Sequence, residues 1–328
     1  MSAVRIGILG AGSMGTAHAA AYAGICDAEI VGVFSRNLAR ARAVASICKA
    51  QPFADPVALT AAVDAIDVCL PSARHLEFVV PALNAGKHVF CESPLALELA
   101  QVRQMVEAAQ RADRLLQVGL LMRSVNAYEH VKVAATSGDY GRLLSLATWR
   151  LGSYLHADGA DHKAHYGDPS TELMTFDFDV ARWFMGAPRR LSASAVHTPQ
   201  HGPGEITALL SYDDGRHATV IASGLMPPGS PFTVGFRALF ERAVFEHLTV
   251  FESIPPKSSL TVAEGQAPPR PVALPGRNPY QVELQRFVDC IRGKADPTLL
   301  DGERASEALV LSLATQQSLA ERQSVVIS

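Results

Sequence analysis

The sequence has 328 residues, of which 48% are hydrophobic and 19% charged, and its net charge is −3. This length provides for two domains with cores of their own, and the composition excludes a disordered chain. Basic residues cluster in pairs at most, which argues against a nucleic-acid or polybasic membrane partner, and no apolar window is long enough to span a bilayer. Five cysteines without C-x-x-C spacing predict reduced thiols in a cytoplasmic protein and no metal site.

The first predicted element is a strand over residues 4–9, followed by the pattern G-x-G-x-x-G and a run of small, helix-compatible residues. In such a turn the first glycine permits the tight bend, the second leaves room for a pyrophosphate, and the third lets the helix approach the strand. The first amides of the helix then face the phosphates. We interpret this loop as a dinucleotide-binding site, the alternative being a Gly-rich turn without a ligand. Its residues are Gly10, Gly12, Ser13, Met14 and Gly15.

Strand and helix patterns alternate over residues 1–122. Strands are predicted at 29–35, 65–70, 87–91 and 115–119, with a weaker one near 52–53, and helices at 37–49, 74–85 and 98–112. This alternation predicts an α/β Rossmann domain with a doubly wound parallel sheet. A helix at 125–136 leads out of it.

Residues 123–328 predict a second domain of the α+β class. Strands at 143–152, 190–197, 205–212, 217–224 and 233–240 are separated by turn signals such as Asp213-Asp214-Gly215, which predicts a mainly antiparallel sheet. One helix is predicted to begin after Asp168-Pro169-Ser170 and to end at Gly186. Further helices are predicted at 279–292 and 303–322, and residues 266–279 predict a Pro-rich loop.

The end of the second strand indicates which dinucleotide binds. NAD calls for an acidic residue there, whereas the 2′-phosphate of NADP calls for a small residue and an arginine. Ser35 and Arg36 hold this position, with Arg40 one helical turn further on. Ser35 can hydrogen-bond the phosphate and Arg36 can bind it through two nitrogens, so the sequence favours NADP over NAD. A solvated basic helix start is the alternative.

Three segments of the sequence form a recognisable combination. They are Leu70-Pro71-Ser72-Ala73-Arg74-His75, then Ala85-Gly86-Lys87-His88-Val89-Phe90-Cys91-Glu92-Ser93-Pro94-Leu95-Ala96, and Phe176-Asp177-Phe178-Asp179-Val180-Ala181-Arg182-Trp183-Phe184-Met185-Gly186. All three resemble segments of the glucose-fructose oxidoreductase/inositol dehydrogenase (Gfo/Idh/MocA) family. Residues 280–293 and 301–327 are also similar, so the resemblance covers the whole chain.

This resemblance implies a Rossmann domain beside a C-terminal domain with a large open sheet, through which homodimers or homotetramers form. It implies hydride transfer between nicotinamide C4 and a carbon of a sugar, cyclitol or related small hydroxy compound. It also implies that Leu70, Pro71 and Ser72 follow the cofactor edge and that His75 and Glu92 line the nicotinamide side. A locally packed histidine at a helix start is the alternative for His75.

The sequence departs from the family pattern at the catalytic positions. Ser93 stands where the family has a lysine, Glu172 where it has an aspartate, and Phe176 where it has a histidine. Phe176 cannot move a proton, whereas Glu172 can act as an acid or base if burial raises its pKa; stabilising a helix dipole is the equal alternative for Glu172. Positions 172 and 176 are expected to share one helix face.

The loop before this helix is rich in titratable groups: Tyr154, His156, Asp158, Asp161, His162, Lys163, His165 and Tyr166. Lys163 or His165 can supply a proton donor from another direction, while a polar surface loop is the alternative. The spacing of His156, His162 and His165 fits no metal-ligand pattern. We therefore take Ser93, Glu172, Lys163 and His165 as the candidate catalytic set.

Two functions follow, with a third, weaker one. The first is an NAD(P)-dependent oxidoreductase with a rearranged proton donor. The second is a catalytically degenerate dinucleotide-binding protein, a sensor or assembly subunit. The third is a redox-neutral enzyme that keeps its cofactor through each cycle. The first is favoured because the family is overwhelmingly catalytic and an acid is retained at Glu172.

Overall fold

The structure is a computed structural model that describes residues 2–153, 155, 168–198, 202–253 and 255–327. The chain divides into two compact units. The first combines Met1–Val125 with Arg277–Ser306, and the second combines Asn126–Gly276 with Glu307–Ser328. None of the helices in these described ranges is long and apolar enough to cross a membrane.

The first unit is built on a six-stranded parallel sheet in the order β3-β2-β1-β4-β5-β6. Strand order reverses between β1 and β4, and in such sheets ligands bind beyond the carboxyl ends of the strands at this point. The doubly wound Rossmann prediction is confirmed. The strands are β1 (Val4–Leu9), β2 (Ala28–Phe34), β3 (Gln51–Phe53), β4 (Ala65–Val68), β5 (His88–Cys91) and β6 (Leu116–Val118).

Helices follow the strands of this sheet, as the alternating pattern predicts. They are α1 (Ser13–Tyr22), α2 (Leu38–Ile47), α3 (Pro56–Ala61), α4 (His75–Asn84) and α5 (Leu99–Ala112). The short α3 was not predicted from the sequence, although Asp55 caps its first amides and proline opens it, a standard start signal.

A later helix, α9 (Pro279–Ile291), also belongs to the first unit. Leu284, Phe287 and Val288 are fully buried in the same core as Ile6 and Ile8 of β1. This corrects the predicted domain boundary, because residues 277–306 were assigned with the second domain. The physical reason is apolar burial: the first unit's core is completed by a helix that lies far along the chain.

The second unit contains a nine-stranded sheet in the order β14-β13-β12-β11-β7-β10-β9-β8-β15. All its neighbouring strands pair antiparallel except β7 and β10, so the mainly antiparallel prediction is confirmed. The strands are β7 (Leu143–Leu151), β8 (Arg190–Thr198), β9 (Gly202–Ser211), β10 (His217–Ser223), β11 (Phe232–Phe240), β12 (Ala243–Phe251), β13 (Lys257–Glu264), β14 (Arg270–Pro271) and β15 (Val325–Val326).

Two features of this unit differ from the prediction. Strands β12 and β13 were not predicted, because Glu246 and His247 interrupt the apolar alternation of β12. The helix predicted from residue 170 to 186 is two helices, α7 (Pro169–Glu172) and α8 (Met174–Met185), which are separated at Leu173. The remaining helices are α6 (Asn126–Ser137) and α10 (Gly302–Glu321).

Candidate active site

The glycine loop between β1 and α1 has the geometry of a phosphate cradle. Gly10 has a φ of +124°, and a Cβ on it would overlap the Cys69 carbonyl; one on Gly15 would overlap the Gly10 carbonyl. A Cβ on Gly12 would meet no atom within 4 Å. Gly12 is the N-cap of α1, no side chain caps that helix, and its first turn holds no acid. The amide end of α1 is therefore open to an anionic group, which fits a dinucleotide pyrophosphate.

The end of β2 presents two arginines to solvent. Ser35 is half-buried and its Oγ accepts the Asn37 amide at 3.2 Å, while Asn37 caps α2 through the amides of Ala39 and Arg40. Arg36 and Arg40 are exposed, and within the described ranges neither guanidinium makes an ion pair. Both cations are thus available to an added phosphate.

His75 lies beneath the loops that follow β4 and β5. Its side chain is fully buried, with Nε2 2.7 Å from the Leu70 carbonyl and Nδ1 3.1 Å from the Leu95 carbonyl. Burial lowers the pKa of His75, so the ring is neutral near neutral pH and donates through only one of its two nitrogens. His75 thus lies between the loop of Leu70, Pro71 and Ser72 and the loop of Ser93, and both loops contact its ring through backbone carbonyls.

Glu92 follows β5 and is nearly buried, with 11% of its side chain exposed. Its Oε2 accepts the Ser93 amide at 3.3 Å, and Gly119, which follows β6, leaves room for the carboxylate. The other oxygen, Oε1, lies 2.7 Å from His18 Nε2, an ion-pair contact without hydrogen-bond alignment. Glu92 thus joins the loop of Ser93 to the interior of the first unit.

His18 connects Glu92 to a second carboxylate. Its Nδ1 lies 2.8 Å from Asp67 Oδ2, and His18 and Asp67 are both fully buried. Cys69 Sγ lies 3.3 Å from the same nitrogen, and burial raises the pKa of this thiol so that it stays neutral. Burial is the largest single influence on the pKa of His18 and lowers it, but the charge of Asp67 and the contacts with Asp67 and Cys69 together raise the pKa well above its ordinary value. His18 is therefore an imidazolium held between two carboxylates.

Glu283 of α9 completes this arrangement. Its side chain is fully buried, and among the described residues neither carboxyl oxygen has a hydrogen-bond partner. Ligand atoms of Glu283, Glu92 and His18 lie within 4.8 Å of one another. Burial raises the pKa of Glu283 well above its usual range, and the charge of Glu92 raises it further. We call His18, Asp67, Glu92 and Glu283 the buried cluster.

The second unit holds the other residues at which the sequence departs from the family pattern. Glu172 ends α7, and the break at Leu173 separates it from Phe176 in α8, so one regular helix does not join the two positions. Phe176 packs under the guanidinium of Arg150, whose carbon lies 4.7 Å from the ring centre. Arg150 Nε donates to Asp177 Oδ2 at 2.6 Å, and both side chains are buried.

The structure brings some predicted residues together and not others. Within the first unit, the loops after β1, β2, β4 and β5 lie at the carboxyl edge of one sheet, which gathers the predicted cofactor residues. Lys163 and His165 lie outside the described residues, as do Tyr154, His156, Asp158, Asp161, His162 and Tyr166.

The sequence reasoning missed His18, Asp67 and Glu283. One signal was present: Asp67 is the only charged residue within the buried strand Ala65–Val68, and a buried charge requires a partner. The partner could not be read from the sequence, because His18 lies 49 residues away from Asp67 along the chain.

Comparisons with known proteins agree with this geometry. The family profile described as "Oxidoreductase family, NAD-binding Rossmann fold" (Gfo/Idh/MocA) matches residues 4–120, and the Gfo/Idh/MocA C-terminal domain profile matches residues 128–245. The chain is 26% identical to an inositol 2-dehydrogenase of Rhizobium meliloti over 340 residues, covering 99% of both. It is 27% identical to a myo-inositol 2-dehydrogenase of Thermotoga maritima over 344 residues, covering 98% of both.

Solved structures share the fold. A UDP-N-acetylglucosamine 3-dehydrogenase from Acidithiobacillus ferrooxidans matches with a TM-score of 0.83 and 24% identity, covering 98% of this chain and 99% of that one. A levoglucosan dehydrogenase in complex with NADH and levoglucosan matches with a TM-score of 0.84 and 20% identity, covering 99% and 100%. At these identities the likeness establishes the architecture alone.

Proposed function

Since this chain belongs to the Gfo/Idh/MocA oxidoreductase family and carries its NAD(P)-binding Rossmann fold, we propose that it is an NADP-dependent dehydrogenase of a cyclitol or sugar. The observation that carries the proposal is the open amide end of α1 at Gly12. When bound there, the cofactor supplies or accepts hydride at nicotinamide C4. The substrate class follows from the full-length relatives, which are named as dehydrogenases of inositol.

The preference for NADP rests on Ser35, Arg36 and Arg40. No carboxylate directly follows β2 in the sequence, and two guanidinium groups that make no ion pair with the described residues stand at this strand end. A charge-assisted hydrogen bond is worth about 1.5–3 kcal/mol, which corresponds to about 10- to 150-fold in affinity.

Fluorescence titration of the purified protein with NADPH and NADH tests this preference. Wild type is expected to bind NADPH more tightly, and Arg36→Ala to lose about 10- to 150-fold for NADPH while NADH affinity is kept. Arg42→Ala is the matched control, because Arg42 is an exposed arginine on α2, the helix that follows Arg36. Equal NADPH affinity in Arg36→Ala and wild type refutes the assignment of Arg36.

Within this proposal Leu70, Pro71 and Ser72 follow the cofactor edge, with His75 holding their loop and Glu92 on the nicotinamide side. Reduction of a carbonyl leaves negative charge on oxygen, and a proton donor must neutralise it. We assign this donor to the set Ser93, Glu172, Lys163 and His165, in which Glu172 is the described carboxyl group. It is half-buried at the end of α7.

The rival function is a dinucleotide-binding protein without catalysis. Ser93 and Phe176 favour it, because neither side chain can do the acid-base work of the family residue it stands for. A turnover assay separates the two functions. Cyclitols and sugars are supplied with NADP⁺, and inosose and keto sugars with NADPH, while the absorbance of the reduced cofactor is followed. Turnover that falls in Glu172→Gln without loss of NADPH affinity supports the enzyme. Tight binding of NADPH without turnover on the whole panel supports the rival.

We also propose a homodimer or homotetramer formed through the nine-stranded sheet. Val196, Leu209, Leu239 and Leu248 are exposed, and the strand register places all four on one face of that sheet. An apolar face of this kind marks a protein interface, and sedimentation equilibrium measures the assembly directly. A cytoplasmic location accords with five cysteines that are all free.

A further inference from the structure

The buried cluster of His18, Asp67, Glu92 and Glu283 carries more acid than its one base can neutralise. It holds three carboxyl groups and one imidazole, so a fully charged cluster would carry a net charge of −2, and one carboxyl proton would reduce this to −1. Within the described part of the chain, the ion pairs of these carboxylates are with His18 alone. A second uncompensated negative charge in the interior is costly, so Glu283 is the member that keeps a proton.

The groups around Glu283 are consistent with a proton on its carboxyl group. From α1 it faces His18 and the buried Tyr22, from β4 Asp67, and from the end of β5 Glu92, while Cys69 and Cys91 lie beside those two carboxylates. Tyr280 of α9 packs its ring 5.9 Å from that of His18. Arg123, on the turn Leu121–Ser124 that also packs against α9, directs its guanidinium to the Leu299 carbonyl at 2.9 Å. Among the described residues, the charges that act on Glu283 are those of Glu92, His18 and Asp67, and His18 is the cation among them.

One member of the cluster connects it to the outside. His18, Asp67 and Glu283 are fully buried, whereas Glu92 keeps 11% of its side chain exposed and binds the Ser93 amide. His18 Nε2 lies 2.7 Å from Glu92, and Glu283 lies within reach of both. Because His18 is already protonated, it first gives its Nε2 proton to Glu92, the partly exposed member, and then takes one from Glu283, so the net transfer is from Glu283 to solvent.

We propose that the buried cluster stores one proton on Glu283 and releases it through His18 and Glu92 when the nicotinamide ring becomes positively charged. This inference rests on the proposed function, which puts the nicotinamide beside Glu92. A cationic ring there stabilises a more negative cluster, and a neutral, reduced ring does not.

The stored proton balances the reaction. In the reducing direction, bound NADPH would supply hydride to the carbonyl carbon, the C=O π bond would open, and the oxygen would take one proton from the donor set named under the proposed function. The cofactor would become cationic in that step, so the O–H bond of the Glu283 carboxyl breaks and one proton leaves through Glu92 to solvent. The substrate thus gains one proton as the cluster loses one, and solvent restores the proton of Glu283 after NADP⁺ departs.

Calorimetry of cofactor binding tests the proposal without a substrate. The binding enthalpies of NADP⁺ and NADPH are measured at neutral pH in buffers of different ionisation enthalpy, which gives the protons exchanged on binding. Wild type is expected to release up to one proton more with NADP⁺ than with NADPH. The 2′-phosphate titrates equally in both titrations and cancels in the difference.

In Glu283→Gln, which keeps the shape of the side chain, this difference disappears while both cofactors still bind. Asp289→Asn, an acid of the same helix outside the cluster, keeps the wild-type difference and serves as the control. Equal proton exchange for NADP⁺ and NADPH in wild type overturns the relay. Absence of binding by either cofactor defeats the proposed function instead, and a spectroscopic measurement then decides the inference.

That measurement is the infrared carbonyl band of a protonated carboxyl group at neutral pH. The wild-type minus Glu283→Gln difference spectrum is expected to contain this band, and the wild-type minus Asp289→Asn spectrum to lack it. A missing band refutes the stored proton. One equivalent of a divalent metal in the purified protein also refutes the stored proton. A metal held by His18, Glu92 and Glu283 requires all three side chains to be deprotonated.

Discussion

Two alanine substitutions in the glycine loop separate cofactor binding from folding. At Gly12 the added methyl meets no protein atom within 4 Å, and the backbone φ of −91° suits any residue, so the free energy of unfolding is expected to change by less than about 0.5 kcal/mol. At Gly15 the same methyl overlaps the backbone carbonyl of Gly10, which no side-chain movement can relieve. Overpacking of this kind costs about 1–3 kcal/mol or more.

For NADPH affinity, Gly12→Ala is expected to be the damaging substitution, although it is the harmless one for stability. If the pyrophosphate lies on the amides of α1, the Gly12 methyl occupies its path, and an overpacking cost of about 1–3 kcal/mol corresponds to about 5- to 150-fold weaker binding. Fluorescence titration measures the affinity, and thermal unfolding without cofactor measures the stability. Gly12→Ala is expected to lose affinity and keep its Tm, whereas Gly15→Ala loses Tm. A Gly12→Ala protein that binds NADPH like wild type refutes the phosphate cradle at this loop.

Two further predictions concern the second unit. Burial lowers the pKa of His247 from 6.5 to about 4, so its contribution to stability is complete above pH 6.5 and is lost as the pH falls towards 4. At about 1.36 kcal/mol per pH unit this amounts to about 3 kcal/mol. Urea unfolding should therefore show a free energy of unfolding that falls as the pH falls across this range, and His247→Gln should make that fall shallower. An equal fall in wild type and His247→Gln contradicts the prediction. Arg150→Met leaves Asp177 buried without its cation and is expected to cost about 3–5 kcal/mol, part of which the double variant Arg150→Met/Asp177→Asn recovers in urea unfolding. A double variant no more stable than Arg150→Met counts against the ion pair as the cause.

The sequence predicts what depends on local pattern. The glycine loop, the alternation of strands and helices, and the missing carboxylate after β2 are all local, and the architecture follows from them. What it did not reveal depends on distant partners. Leu173 breaks a helix whose start and stop signals are both correct, and Glu283 meets His18 only after the sheet has formed.

His75 shows a related difficulty. Its place in a family segment suggests contact with the cofactor, but both ring nitrogens face backbone carbonyls of Leu70 and Leu95. A sequence segment locates a residue along the chain, whereas the direction of its ring is set by the loops that pack around it. The same holds for Phe176, whose partner Arg150 comes from a strand.

The insertion of α9 into the core of the first unit also has a consequence for synthesis. Leu284, Phe287 and Val288 leave the ribosome more than 270 residues after Ile6 and Ile8, whose core they complete. The first unit cannot finish folding as it emerges, although its six strands are translated first. The apolar side chains that α9 covers stay exposed until α9 has been translated. A gene fragment that stops at residue 125 would encode every strand of that sheet and still yield an aggregation-prone polypeptide.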